Sequence, residues 1–164
     1  MFGICNLAII PLRLEPSDRS EIVSQVLFGE HFEVLEELKQ WRRIRLYYDD
    51  YEGWVDSKQF QIITESAYNT LSKEPIVLNA DLIDYISAPN NTLLPIPLGA
   101  SLSFLNHSDI NTAHFEFEGT KTSGIQDKSK LINTAFMYLN APYLWEEKRL
   151  LELTVLGLLK WCTN

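Results

Sequence analysis

The chain has 164 residues, with 14 Lys and Arg against 22 Asp and Glu, for a formal net charge of −8. Hydrophobic residues make up 46% and charged residues 22%, which excludes a disordered chain, and the length accommodates one ordinary domain or two small ones. The acid excess argues against nucleic acid or an anionic membrane as the main partner, because phosphate binding runs on Lys and Arg. No apolar run reaches the ~20 residues of a membrane span. The opening Met1-Phe2-Gly3-Ile4-Cys5 lacks the basic n-region of a secretion signal, so no signal peptide is assigned and the compartment stays unassigned.

The first sixty residues predict β-structure. Short apolar-rich runs at 5–14, 22–27, 31–38, 41–48 and 53–55 are separated by turn formers at Glu15-Pro16-Ser17-Asp18 and Tyr48-Asp49-Asp50-Tyr51-Glu52-Gly53. Phe32 and Val34 alternate with His31 and Glu33, and Arg43-Ile44-Arg45-Leu46 repeats the period of two, as strands with one wet face should. Five short strands in this length predict a small barrel, since closure removes exposed edges.

The chain then repeats itself. Residues 26–35, around Leu27-Phe28-Gly29-Glu30, line up with residues 96–105, around Pro97-Leu98-Gly99-Ala100. Upstream, Leu14-Glu15-Pro16-Ser17-Asp18 matches Ser87-Ala88-Pro89-Asn90-Asn91; downstream, Arg43-Ile44-Arg45-Leu46 faces His114-Phe115-Glu116-Phe117. Each copy reads apolar run, Pro turn, run, Gly turn, alternating strand, final strand. The expected architecture is therefore mainly β: two tandem small β-barrels, at 1–63 and 76–122, followed by a C-terminal helix. Residues 64–75, polar and holding Ser66, Asn69, Ser72 and Pro75, predict a linker with one helical turn. From Gln126 the spacing of Leu131, Ala135, Phe136 and Leu139 becomes helical, with Lys128 and Lys130 on the wet side, Ser123 or Asp127 as cap and Pro142 as stop.

No complete active site is present in the residue pattern. His31, His107 and His114 are not spaced as metal ligands and are expected as exposed strand and loop residues, so no metal and no cofactor is assigned. Cys5 and Cys162 allow at most one disulfide; Cys5 opens a strand and is expected in the core. No Gly-x-Ser-x-Gly or phosphate-cradling loop occurs. The segment Tyr47-Tyr48-Asp49-Asp50-Tyr51-Glu52-Gly53-Trp54 supports two readings. One is a hairpin with Trp54 in the core and solvated acids. The other is a peptide-binding rim, because Tyr offers an apolar face plus a hydroxyl and carboxylates suit a free amine.

The stretch Trp41-Arg42-Arg43-Ile44-Arg45 followed by Tyr51-Glu52-Gly53-Trp54-Val55 resembles the bacterial SH3 domain. With Leu14-Glu15-Pro16-Ser17-Asp18-Arg19-Ser20-Glu21 it is similar to the front end of the γ-D-glutamyl-L-diamino acid endopeptidases of dipeptidyl-peptidase VI type. These are NlpC-type papain-like enzymes with two SH3-like domains before the catalytic domain. Ala141-Pro142-Tyr143-Leu144-Trp145 resembles the start of their catalytic domain, so residues 123–145 are expected as its first helix. The resemblance implies two SH3-like barrels and cleavage of murein peptides after L-Ala-γ-D-Glu by a Cys-His dyad. It also implies that the first barrel recognises the free L-Ala amine, with Glu15 and Tyr51 as the carriers by motif position.

After Trp145 the pattern departs from the family. Gly-Gly and later Asp-Cys-Ser-Gly are expected; Glu146-Glu147-Lys148-Arg149 stands instead. The family-like string Gly-Gly-Lys-Thr-Ala-Leu-Gly-Ile-Asp-Cys-Ser-Gly-Phe-Thr-Gln-Met-Val-Tyr-Lys has a permissible coding that, read one base later, gives residues 146–164 one for one. This predicts a frameshifted tail, a Cys162 unrelated to the catalytic cysteine, and a chain without the catalytic Cys and His. The expected function is the SH3-like targeting and substrate-recognition part of a cysteine peptidase, binding a murein-derived peptide with free N-terminal L-Ala weakly, with possible self-association through the Leu-rich tail. The rival is a non-catalytic cell-wall peptide-binding or protein-interaction module.

Overall fold

The computed structural model describes residues 1–89, 92–124 and 127–136. The first half forms a seven-stranded antiparallel ladder in the order β3-β2-β6-β5-β4-β1-β7. Its strands are β1 (Phe2–Ile4), β2 (Ile9–Arg13), β3 (Ile22–Leu27), β4 (His31–Leu38), β5 (Trp41–Leu46), β6 (Glu52–Asp56) and β7 (Gln61–Ile63). The period of two decides the faces: Phe32, Val34, Ile44 and Leu46 point inward with Ile10, Leu12, Val26 and Val55, while His31, Glu33, Arg43 and Arg45 do not. The fold is mainly β and consistent with the SH3-like type. The ladder ends at β3 and β7, which are not hydrogen-bonded neighbours.

Two strands escaped the sequence pattern. Phe2-Gly3-Ile4 and Gln61-Ile62-Ile63 are too short to show periodicity, and they become strands because β1 inserts between β4 and β7. Trp54 corrects a second expectation. It is half-buried, while its neighbours Gly53 and Val55 face the core, because only alternate residues of β6 can do so.

Residues 64–75 contain α1 (Glu65–Leu71), capped by Thr64, whose Oγ1 accepts from the Ala67 N–H. Ala67 and Leu71, four apart, are buried in a core that also holds Ile4, Phe28 and Ile63 from the first half and Ile86, Ile96 and Phe104 from the second. The two halves are thus built around a shared interior.

The second half contains β8 (Val77–Asn79), β9 (Ile83–Ala88), β10 (Thr92–Pro97) and β11 (Lys121–Ser123), paired β9 with β10 and β8 with β11. Hydrogen bonds around the Gly turns recur in both halves. Cys5 N donates to Glu30 O and Gly29 N to Cys5 O; Asn79 N donates to Ala100 O and Gly99 N to Asn79 O. Gly29 and Gly99 take φ of +75° and +80°, a conformation that costs glycine nothing. The copies diverge after the turn. Where the repeat predicts an alternating strand through residues 101–105, Ser103–Asn106 is a 3₁₀ turn, whose Phe104 fills the shared core instead of pairing in a ladder. The expected C-terminal helix is present as α2 (Lys128–Phe136), with Ile132 and Phe136 exposed. Leu139, Pro142, Trp145, the tail 146–164 and Cys162 lie outside the described residues. Among the described residues no helix is long and apolar enough to cross a membrane.

Candidate functional site

Glu15 follows the end of β2 and Tyr51 precedes the start of β6. These strands are antiparallel, with Arg13 opposite Trp54, so both residues leave the ladder at the same end. Glu15 sits in the exposed β2–β3 loop, where its N–H donates to Ser20 Oγ at 2.8 Å. Its carboxylate takes part in none of the ion pairs among the described residues. Tyr51 is exposed, with its N–H held by Asp49 Oδ1 at 3.1 Å and its hydroxyl 3.4 Å from the Val23 carbonyl of β3. Among the described residues no hydrogen bond joins Glu15 to Tyr51. Behind them Glu52 is held by Arg45 through Nε and a second guanidinium nitrogen, and by Arg43 at 2.8 Å. The Arg45 hydrogen bonds hold its carboxyl below the usual range. This trio explains why Arg43, Arg45 and Glu52 share a motif: registers Arg43 to Trp54 and Arg45 to Glu52 bring them onto one face.

A second feature lies beside this rim. Tyr47, Tyr48, Asp49, Asp50, Tyr68 and Ile76 are among the residues that line an open groove of about 620 Å³. It continues into a recess of about 30 Å³ between the two Gly turns, with Leu46, Leu71 and Leu78 among its walls.

His31 lies at the inner end of this groove and corrects the expectation of an exposed strand histidine. It stacks on Tyr47 with ring centroids 4.7 Å apart and meets Tyr68 edge-on at 5.2 Å, because α1 covers that face of β4. The Ser72 hydroxyl donates to the Tyr68 carbonyl at 2.8 Å and so accepts from His31 Nε2 at 3.1 Å, which assigns the Nε2–H tautomer. The Tyr47 hydroxyl donates to the Ser72 carbonyl at 2.5 Å. Tyr68 and Ser72 come from the segment read as a linker; the Thr64-Glu65 cap and the spacing of Ala67 and Leu71 were the signal for them.

Burial pushes the His31 imidazole down to about 4. The unfolded chain titrates it near 6.5. Neutral His31 therefore contributes stability that is complete above about pH 6.5 and is lost as pH falls towards 4. Unfolding in urea should show a loss of about 2 kcal/mol across that window, after allowing for the partial exposure of the ring. His31→Phe should flatten the profile; an unchanged slope in that variant would assign the effect elsewhere.

The other histidines are peripheral. His107 Nε2 pairs with Glu74 Oε2 at 2.8 Å, and His114 is an exposed turn residue with φ +51°. Cys5 is fully buried, its Sγ hydrogen placed towards the Leu7 carbonyl at 3.2 Å, and desolvation pushes its thiol up to about 12. It is a core residue, not a thiolate nucleophile. Among the described residues no cluster of three or more His, Cys, Asp or Glu could hold a metal ion.

The β2–β6 stretch that carries this rim has recognisable relatives. Residues 12–60 match the family described as the bacterial dipeptidyl-peptidase SH3 domain. Glu15, Tyr51 and the Arg43–Arg45–Glu52 trio all fall within the match. An NlpC/P60 family protein from Bacillus cereus ATCC 10987 shares the fold with a TM-score of 0.74 at 14% identity, over 98% of this chain and 72% of that one. No curated protein matches the chain. The match over residues 12–60 is to a bacterial SH3 domain, and the structural likeness shows the fold.

Proposed function

We propose that this chain is the substrate-recognition part of a murein peptide endopeptidase, holding a peptide with a free N-terminal L-Ala between the β2–β3 and β5–β6 loops. The observation that carries this reading is the match of residues 12–60 to the dipeptidyl-peptidase SH3 family, with Glu15 and Tyr51 at the same end of the ladder inside that match. Glu15 would face the ammonium, and the Tyr51 hydroxyl would accept from it or donate beside it. On this reading residues 146–164 are read out of frame, and the chain binds without cleaving; the nucleotide sequence beyond the Trp145 codon tests that part. The family's reaction would otherwise proceed through an acyl-enzyme on cysteine, a role Cys5 cannot fill.

Binding should be weak. One exposed ion pair contributes about 0–1 kcal/mol, whereas millimolar affinity needs about 4 kcal/mol. Titration of isotope-labelled protein with L-Ala-γ-D-Glu should move amide resonances only in the loops 14–21 and 47–53. Equal shifts with the N-acetylated dipeptide, or shifts centred elsewhere, would contradict amine recognition there.

A further inference from the structure

We propose that the outer face of the β9–β10 sheet is a docking surface for helix α2 of a second copy of this chain. The inference does not depend on the reading of Glu15 and Tyr51. It rests on two exposed apolar surfaces of one chain and on their opposite charges.

The sheet is apolar on both sides. Ile86 and Ile96 are fully buried in the shared core and Leu94 packs against it, so the alternate residues face outward. The register sets Ile83 opposite Pro97, Tyr85 opposite Pro95 and Ser87 opposite Leu93. Ile83, Tyr85 and Leu93 stand 41%, 54% and 58% exposed. An antiparallel sheet with one face in a core ordinarily turns a polar face to water, and an apolar one marks a contact surface. Ser87 also bridges to Glu116, which extends this face by one row, and alternation about the buried Phe117 exposes Glu118 as well. The apolar patch is therefore bordered by carboxylates. Strand addition is the poorer use of this sheet, because β10 is an edge whose Pro95 and Pro97 have no N–H to donate.

Helix α2 carries the complementary pattern. Ile132 and Phe136, one turn apart, are 54% and 63% exposed, while the polar Thr134 between them is buried. Such a helix has its apolar surface unpartnered. Its sequence, Lys128 to Phe136, has two lysines and no carboxylate. Residues 76–124, which hold the sheet face, have five Asp and Glu against one Lys. Within one chain the two surfaces stay apart, since both are exposed. A lysine-bearing apolar helix suits an apolar patch with an acidic border, and a second copy brings one. About a two-fold axis the contact forms twice, each copy giving its α2 and receiving the other's. Five partly exposed side chains per contact make a small interface, so the expected Kd is roughly 100 μM.

The test is sedimentation of the full chain over a range of concentrations. Ile132→Gln with Phe136→Gln removes the helix surface, and Tyr85→Thr with Leu93→Thr removes the patch. All four sites are exposed, so the fold should survive, as circular dichroism can verify. Each double variant should associate at least tenfold more weakly than the parent chain. An equimolar mixture of the two should associate more tightly than either alone, because one intact helix meets one intact patch. Glu116→Lys with Glu118→Lys should also weaken association, about threefold to fivefold. That variant makes an acidic chain less self-repelling, so weakening it must come from the lost border charges. A parent chain that stays monomeric at millimolar concentration would overturn the proposal. So would double variants that associate like the parent, which would put the contact elsewhere, residues 137–164 included. A mixture no tighter than its components would overturn it too, as would stronger association of the charge-reversed chain.

Discussion

Replacing Gly29 with alanine should destabilise the whole chain by about 3 kcal/mol or more and loosen the second half together with the first. Gly29 sits at φ +75°, where an L side chain is strained. A Cβ built there would also overlap the carbonyl oxygen of Ser101, a backbone atom of the second half that cannot rotate away. That carbonyl belongs to a fixed crossing point: Ser101 N donates to the Phe28 carbonyl at 2.7 Å, and Ser101 bridges to Leu78 of β8. The variant must give up either its turn or the seam. Urea unfolding followed by tryptophan fluorescence and by hydrogen exchange in β8–β10 checks this. Loss of protection in both halves is expected, whereas a change confined to the β3–β4 turn would show that the seam is not shared.

The shared interior was the part of the fold least visible in the sequence. Strands β3 and β4 were legible to the residue, since Ile22–Leu27 and His31–Leu38 are apolar-rich runs bounded by turn formers and the first half of β4 alternates. The repeat was legible because Gly29 and Gly99 need the same left-handed turn. What the repeat could not reveal is that the turns meet. Residues 64–75, read as a linker with one helical turn, hold a seven-residue helix whose Ala67 and Leu71 face inward, and covering by that helix turned His31 from a wet-face residue into a half-buried one. At the candidate site Glu15 and Tyr51 could be nominated from motif position, and the Tyr47–Trp54 loop from its composition. Tyr68, Ser72 and Ile76 could not, because they join the groove through contacts more than twenty residues away in sequence.

Phe28→Ala should have a comparable or larger effect, about 3–5 kcal/mol. Phe28 is fully buried, and both rings it touches belong to the second half. Phe104 lies 5.3 Å away at 49°, and Phe115 lies 5.3 Å away at 81°, an edge-to-face arrangement. Truncation leaves a cavity between the halves that neither can fill alone. The loss should appear as a lower urea midpoint in the signals of both halves. Phe32→Ala provides the contrast, since Phe32 packs on Phe60 within the first core, with ring centroids 5.1 Å apart. If Phe28→Ala lowered the midpoint of the first half alone, the two halves would be independent domains joined by a linker.

On the proposed reading the first SH3-like unit recognises a free alanine amine through Glu15 and Tyr51. Its most direct test joins residues 1–145 to an in-frame NlpC-type catalytic domain and compares cleavage of L-Ala-γ-D-Glu-L-Lys with that of its N-acetylated form. The account predicts that the fusion cleaves the free-amine peptide, and that Glu15→Ala and Tyr51→Ala each slow this cleavage by about tenfold to a hundredfold, the loss expected for a hydrogen bond to a charged group. Cleavage of the acetylated peptide should be slow in all forms. Wild-type rates on the free-amine peptide in both variants would contradict the account.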